Sequence, residues 1–466
     1  MRKVRIGFVP LHRPPRDEDW AVHLKNRFVK VAADSELIDL VYPDEDLTKW
    51  GLVSSDEDAD KVIELFKKND VDGIILGTMT FGDEIAGFKI AEEFRNIPLM
   101  VFGTKEPEPL PGGFRKSDSF CGTLSLTSGL FRRKIPFIFG GIIFPEEDNF
   151  KKTLEDFART CMIVRRFVGA RIGLIGSKPE RFEPVVFNEA AMVYRFKHRV
   201  LHESLLKIIE EARKIKESDE DLIKILEEIK STADVSEVPE EALVKMARLE
   251  VVLRRLIREK KLSAVAVRCW LEIEQYYGIS PCFILGRLTE SGMLASCEAD
   301  VYGALTMLIQ YSAALESTPP HFIDWTIKHP EHPDIFLAWH CGNAPPILVH
   351  PKSKVRIREH NILYRFVGVE KSYGTGEFRL KPGVVTICRL IERDGEFKML
   401  ITKGEVLDME MNYRGSGGWV RVRNLNELYE TLVKEGFVHH ASMIYGDYVK
   451  PIEQACYLLG IKVVKV

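Results

Sequence analysis

The chain predicts an α/β protein: two Rossmann-like, doubly wound parallel-sheet domains followed by a C-terminal β-rich, barrel-like domain. Three observations carry this reading. Residues 1–150 alternate short apolar runs with amphipathic stretches of helical period. A second unit of the same kind starts at Arg171 in the run RIGLIG. From about Ile347 onward the pattern turns to strands joined by turns. The implied domains are 1–165, 166–345 and 346–466.

In the first domain, Val4–Val9, Leu37–Tyr42, Gly73–Gly77, Leu99–Gly103 and Phe137–Gly141 read as strands. The stretches Trp20–Ala33, Lys61–Asn69 and Ile85–Arg95 read as helices between them. No GxGxxG follows the first strand, which weakens a dinucleotide site. The loop PLHRPPR instead places Arg13 and Arg16 at a strand end, where a guanidinium suits a sugar hydroxyl or a phosphate as well as plain solvent. Phe150–Phe167 is a connecting helix, and the Gly-Ser-Lys-Pro turn after RIGLIG lacks the glycine spacing of a phosphate loop. Residues 200–261 interleave Lys and Glu at spacings of three and four, as surface helices do. Ser263–Arg268 is a strand, with Glu272 and Glu274 close beyond it. In the last domain, Val355–Arg358, Asn361–Val369, Phe378–Leu380, Gly383–Glu392 and Lys398–Glu405 read as strands of a small barrel or sandwich. The run RGSGGW, ending on Trp419, is either an aromatic wall for a sugar face or a surface turn.

Composition excludes several classes. Lys+Arg number 66 against 69 Asp+Glu, and a net charge of −3 argues against an electrostatic nucleic-acid binder. No run approaches the roughly 18 apolar residues of a membrane span. The apolar start is too short, and too soon broken by proline, for a signal peptide. The eight cysteines form no CxxC pair, as expected of buried thiols in a reducing cytoplasm. The expectation is a cytoplasmic protein without membrane or nucleic-acid partners.

The chemistry concentrates between Leu294 and Asn343. Glu298 follows the apolar run Met293-Leu294-Ala295, Asp324 follows Phe322-Ile323, and His340 follows Ile335 to Trp339. Each is read as sitting where a strand hands over to a loop, and ligand sites in α/β sheets gather at such ends. Val301–Leu315 reads as an apolar helix. Far along the chain, His439-His440 leads into Met443-Ile444-Tyr445. Two carboxylates with imidazoles suit a hard cation with open positions better than structural zinc. Paired carboxylates can also move protons between neighbouring carbons while a metal stabilises the oxyanion.

CEADVYGALTM, the Phe-Ile-Asp after it, Trp-His-Cys-Gly and the late His-His together resemble the L-fucose isomerase and L-arabinose isomerase superfamily, in its fucose-isomerase-like branch. The resemblance spans the order of parts and is most specific from Ser263 to Asn343. It implies an aldose–ketose isomerase with manganese (magnesium or cobalt as alternatives), working through an enediol. Glu298 and Asp324 would bind the metal and act as acid and base, with His440, slightly preferred over His439, as the imidazole ligand. His340, His439, Trp419 and Arg13 would contact a small sugar. The family implies a homo-oligomer, hexamer or trimer, in which a neighbour's Arg13 or Arg16 reaches the site. The aspartate at 324 leans to the fucose branch, whereas the N-terminal loop fits classical L-fucose isomerases poorly and leaves the sugar open. Two other readings stand beside this one: a non-catalytic sugar-binding or regulatory relative, and a dehydrogenase or phosphate-handling enzyme on the same fold.

Overall fold

A computed structural model describes residues 3–106 and 108–466, Asp148 by its backbone alone. The described residues fall into two compact units, Met1–Arg165 with Lys450–Gly460, and Arg166–Val449 with Ile461–Val466.

In the first unit, β1 (Val4–Leu11), β2 (Ile38–Val41), β3 (Gly73–Thr78), β4 (Leu99–Thr104) and β5 (Ile138–Ile143) form a parallel sheet in the order β2-β1-β3-β4-β5. β3 and β4 are buried at every position, which is why they read as continuous apolar runs rather than alternations. The helices start at side-chain caps: Asp17 accepts from the Trp20 amide, Ser55 from Asp58 and Asp83 from Ala86. One helix, Ser119–Arg132, is not apparent in the sequence. Its Ser, Thr and Gly content hides the helical period, and its N-cap Asp118 makes no side-chain capping bond.

The second unit opens with β6 (Arg171–Ile175), β7 (Arg199–Glu203), β8 (Ala264–Val267) and the short β9 (Ala295–Ser296), all parallel, in the order β7-β6-β8-β9. The charged region between β7 and β8 is helical over Leu205–Lys214, Glu220–Thr232 and Glu240–Glu259. Arg255, for example, bridges Asp219 and Asp221 there.

The remaining strands build a large mixed sheet: β10 (His321–Lys328), β11 (Ile335–His340), β12 (Arg356–Glu359), β13 (Tyr373–Arg379), β14 (Gly383–Arg393), β15 (Glu396–Val406), β16 (Ser416–Val422), β17 (His440–Tyr445) and β18 (Lys462–Lys465). The order is β12-β13-β16-β11-β10-β17-β14-β15-β18, and β15 also pairs with β16. That extra pairing closes β16-β11-β10-β17-β14-β15 into a six-stranded antiparallel barrel, flanked by β12-β13 on one side and β18 on the other. The predicted fold class thus holds: parallel α/β sheets followed by a barrel-like region. Two local expectations do not. Asn361–Val369 is no strand but contains the helical turn Tyr364–Val367, because His360 Nδ1 accepts from the amides of Ile362 and Leu363 and turns the chain. β10 and β11, expected at the ends of a parallel sheet, are barrel strands.

The helix Val301–Ala313 joins the two layers. It touches β6, β8 and β9 on one side and β10, β14 and β17 on the other. Every residue except Tyr311 is buried, so apolar side chains surround it. Its one long polar group, Gln310, donates Nε2 to the carbonyls of Thr386 and Ser442, tying the helix to β14 and β17. Gly303 is required by close approach: a Cβ there would lie 2.4 Å from the Phe322 ring.

Candidate active site

β9 ends at Ser296, and the chain turns sharply before the 301–313 helix. Glu298 (φ 61°) and Ala299 (φ 62°) both occupy the left-handed region, which non-glycine residues avoid. The amide of Ala299 donates to Val267 O and that of Asp300 to Cys297 O, holding the turn. Backbone strain of this kind persists where the surroundings over-determine it, often at functional sites. Here it aims the Glu298 carboxylate at the barrel strands β10 and β17.

Asp324 stands mid-strand on β10, a correction to the strand-end expectation. Its Cα partners are Trp339 on β11 and His440 on β17. His440 Nε2 lies 2.5 Å from Glu298 Oε2 and 3.8 Å from Asp324 Oδ1, while Nδ1 lies 2.8 Å from Asp300 Oδ2. Trp270 Nε1 donates to the other Glu298 oxygen at 2.9 Å. His340, at the end of β11, is 3 % exposed, yet neither ring nitrogen has a hydrogen-bond partner. Asp324 Oδ1 is likewise without a hydrogen bond. The ring of His439 lies 4.2 Å from that of His440. Phe182 stands edge-on to Trp270 and His439, at 5.6 and 5.7 Å, and supplies an aromatic flank.

The electrostatics divide these groups. Burial disfavours charge on Glu298, but the hydrogen bond and positive charge of His440 outweigh it and bring its carboxyl down to about 2. Burial raises Asp324 to about 7, with Glu298 and Asp300 adding to the rise against the pull of His440. Burial works against a charged His440, yet hydrogen bonds to Asp300 and Glu298 raise it to about 10. Burial holds His340 at about 3 and His439 at about 4, so both are neutral.

Two sets of ligand atoms lie close enough together to hold a cation: Glu298, His439 and His440, and Asp324, His340 and His440. The donors are carboxylate oxygens and imidazole nitrogens without thiolate, a set suited to a hard or borderline divalent ion. The fit has a second mark, since His440 Nε2 faces the carboxyl groups of both Glu298 and Asp324, at 2.5 and 3.8 Å. The unpartnered nitrogens of His340 and oxygen of Asp324 are what a metal or a sugar hydroxyl would satisfy.

The structure therefore gathers Glu298, Asp324, His340, His439 and His440, and packs Trp419 apart from them. Trp419 belongs to a small core of its own with Ile335 and Leu337, and its Nε1 donates to Glu410 O. It pairs with Leu337 across β11–β16 and is buried in that core, so it offers no free wall to a sugar. Arg13 lies in the first unit, ion-paired to Glu84 with its guanidinium over the Phe81 ring. Beside Arg16, Arg115 and Lys116 it lines an open cavity of about 710 Å³. The sequence alone assigns no role to Asp300, Arg389, Trp270 or Phe182. Only Asp300 and Arg389 leave a signal there: an aspartate directly before an apolar helix, and a lone arginine inside an apolar strand.

Glu272 and Glu274 part company. Glu272 pairs with Arg268. Glu274 is fully buried, accepts from Ser280 Oγ at 3.0 Å, and is raised by burial to about 8.

Comparison with known proteins bears on this site. The fucose/sulfoquinovose isomerase N-terminal domain family matches residues 7–168, and the L-fucose isomerase C-terminal domain family matches residues 338–466. The chain belongs to the fucose isomerase family. Among its relatives in this family, the sulfoquinovose isomerase of Priestia aryabhattai is 25% identical over 414 residues, covering 88% of this chain and 89% of the relative. That of Alkalicoccus urumqiensis is 26% identical over 418 residues, covering 89% and 90%. This member of the fucose isomerase family is an aldose–ketose isomerase, an intramolecular oxidoreductase. The non-catalytic and dehydrogenase readings fall away with that. No helix among the described residues is long and apolar enough to cross a membrane.

Proposed function

We propose that this isomerase is metal-dependent, and that Glu298, Asp324 and His440 hold one divalent cation, manganese being the preferred ion. The observation that carries the reading is the convergence of His440 Nε2 on both carboxylates, at 2.5 and 3.8 Å. When bound, such an ion stabilises negative charge developing on the sugar's oxygens.

The chain's own groups account for the proton movements. Conversion of an aldose to its ketose removes a proton from C2, returns one to C1, and moves a hydroxyl proton between the two oxygens. Glu298 and Asp324, the two carboxyl groups that face His440 Nε2, are assigned the removal and return of the carbon-bound proton. Neutral His340 and His439 are placed to hydrogen-bond sugar hydroxyls, and Phe182 and Trp270 to cover an apolar sugar face. A neighbouring subunit's Arg13 remains a proposed sugar contact within a cytoplasmic homo-oligomer, a hexamer or trimer.

The relatives' name makes sulfoquinovose the first aldose to test, and the two domain matches make L-fucose the second. Ketose formation is followed with manganese for both, and for D-arabinose, L-arabinose and D-ribose. Turnover of one aldose that ceases on chelation supports the reading. Turnover undiminished after exhaustive chelation overturns metal dependence.

A further inference from the structure

Asp300 is 1 % exposed and carries three partners at once. Its Oδ1 accepts from the Gly303 amide at 2.8 Å and caps the 301–313 helix. The same carboxylate takes both terminal nitrogens of Arg389, one at 3.2 Å, and Arg389 on β14 is itself 1 % exposed. Its Oδ2 faces His440 Nδ1 at 2.8 Å. A buried ion pair gives little net stability relative to an apolar pair of the same shape, so its presence calls for another reason. Arg389 supplies one: it keeps Asp300 an acceptor, and an acceptor at Nδ1 fixes which imidazole nitrogen carries hydrogen.

We infer that the Asp300–Arg389 pair is a positioning device: it holds His440 with hydrogen on Nδ1 and presents the Nε2 lone pair to the cation between Glu298 and Asp324. The inference rests on the proposed ligand role of His440. A carboxylate behind a ligating histidine fixes its tautomer and ring plane, and its loss commonly weakens metal binding about 10–100-fold. Asp300 acts through His440 rather than on the sugar or the ion. The arrangement also distinguishes the two adjacent histidines, because no carboxylate among the described residues backs His439 in this way.

D300N separates positioning from capping. Asparagine caps a helix as well as aspartate, and using its oxygen for the Gly303 amide turns its NH2 toward His440 Nδ1. That forces the hydrogen onto Nε2, where it blocks the lone pair. Manganese binding is titrated by electron paramagnetic resonance in wild type, D300N, H440A and D300N/H440A, with each variant's fold checked by circular dichroism. The expectation is about 10–100-fold weaker binding in D300N, and no further loss when D300N is added to H440A. Binding by folded D300N within about threefold of wild type overturns the inference, as does an equal loss in the H440A background. Unweakened binding by H440A overturns the ligand role and, with it, this inference. Should D300N not fold, 15N-histidine spectra of the magnesium-loaded wild type decide, with the His440 signal assigned by its absence from H440A. Hydrogen on Nδ1 supports the inference, and hydrogen on Nε2 overturns it.

Discussion

His440 and Asp324 are directly opposed on neighbouring antiparallel strands, β17 and β10, with Nε2 3.8 Å from Oδ1. Two residues far apart in sequence are thus fixed by backbone register, and the strained turn at Glu298 brings the third group to them. A site held this way depends little on side-chain flexibility.

Glu298→Gln keeps volume and the Trp270 hydrogen bond while removing the proton-accepting charge. We expect a folded protein whose turnover falls by about 10²–10⁴. Steady-state assays with manganese present check this, and retention of more than roughly a tenth of wild-type activity would sink the assigned role.

The adjacent histidines should behave differently. H440A should abolish tight manganese binding, whereas H439A should retain it within a few-fold and lose activity through KM. Titration of both variants with manganese, alongside kinetics, tests the pair. Equal losses of metal affinity would mean that His439 is also a ligand.

Manganese affinity should rise with pH. In the metal-free protein His440 is raised to about 10 and Asp324 to about 7, so both carry protons that a cation must displace. Each displaced proton strengthens binding by up to about tenfold per pH unit below its pKa. The rise should be steepest below pH 7 and continue toward 10. A flat affinity between pH 6 and 9 would contradict this ligand set.

Glu274→Gln should stabilise the fold in alkaline conditions. The buried carboxyl, raised from 4.5 to about 8, stays protonated in the native state while the unfolded chain ionises. Wild-type stability is therefore lost progressively as pH rises from 4.5 to 8, and glutamine removes that loss. A tenfold change in acidity between the native and unfolded states corresponds to about 1.4 kcal/mol, so the gain should reach a few kcal/mol. Melting temperatures of the two proteins should nearly coincide at pH 5 and diverge by pH 8.

Trp419→Ala should act on stability rather than on sugar binding. The ring fills a core with Ile335 and Leu337 of β11. Its truncation should cost about 3–5 kcal/mol, seen in denaturant unfolding, with KM unchanged in the folded fraction. A selective rise in KM would return Trp419 to the sugar site.

Apolar period and the turns that break it are local properties, and they sufficed to read the α/β class, the barrel-like end and most elements from residue order. Glu298, Asp324, His340 and the His439-His440 pair were legible for a similar reason, since strong polar groups beside apolar runs stand out without knowledge of contacts. What these groups face was not legible. The strand context of Asp324 follows from the closure of β16-β11-β10-β17-β14-β15, which depends on pairing between distant segments. The place of Trp419 follows from pairing too, since it sits opposite Leu337 on β11 and packs into that core. Asp300 and Arg389 lie 89 positions apart, and no local pattern tells a buried arginine which carboxylate it will meet. Long-range pairing, not residue type, joins that ion pair to His440.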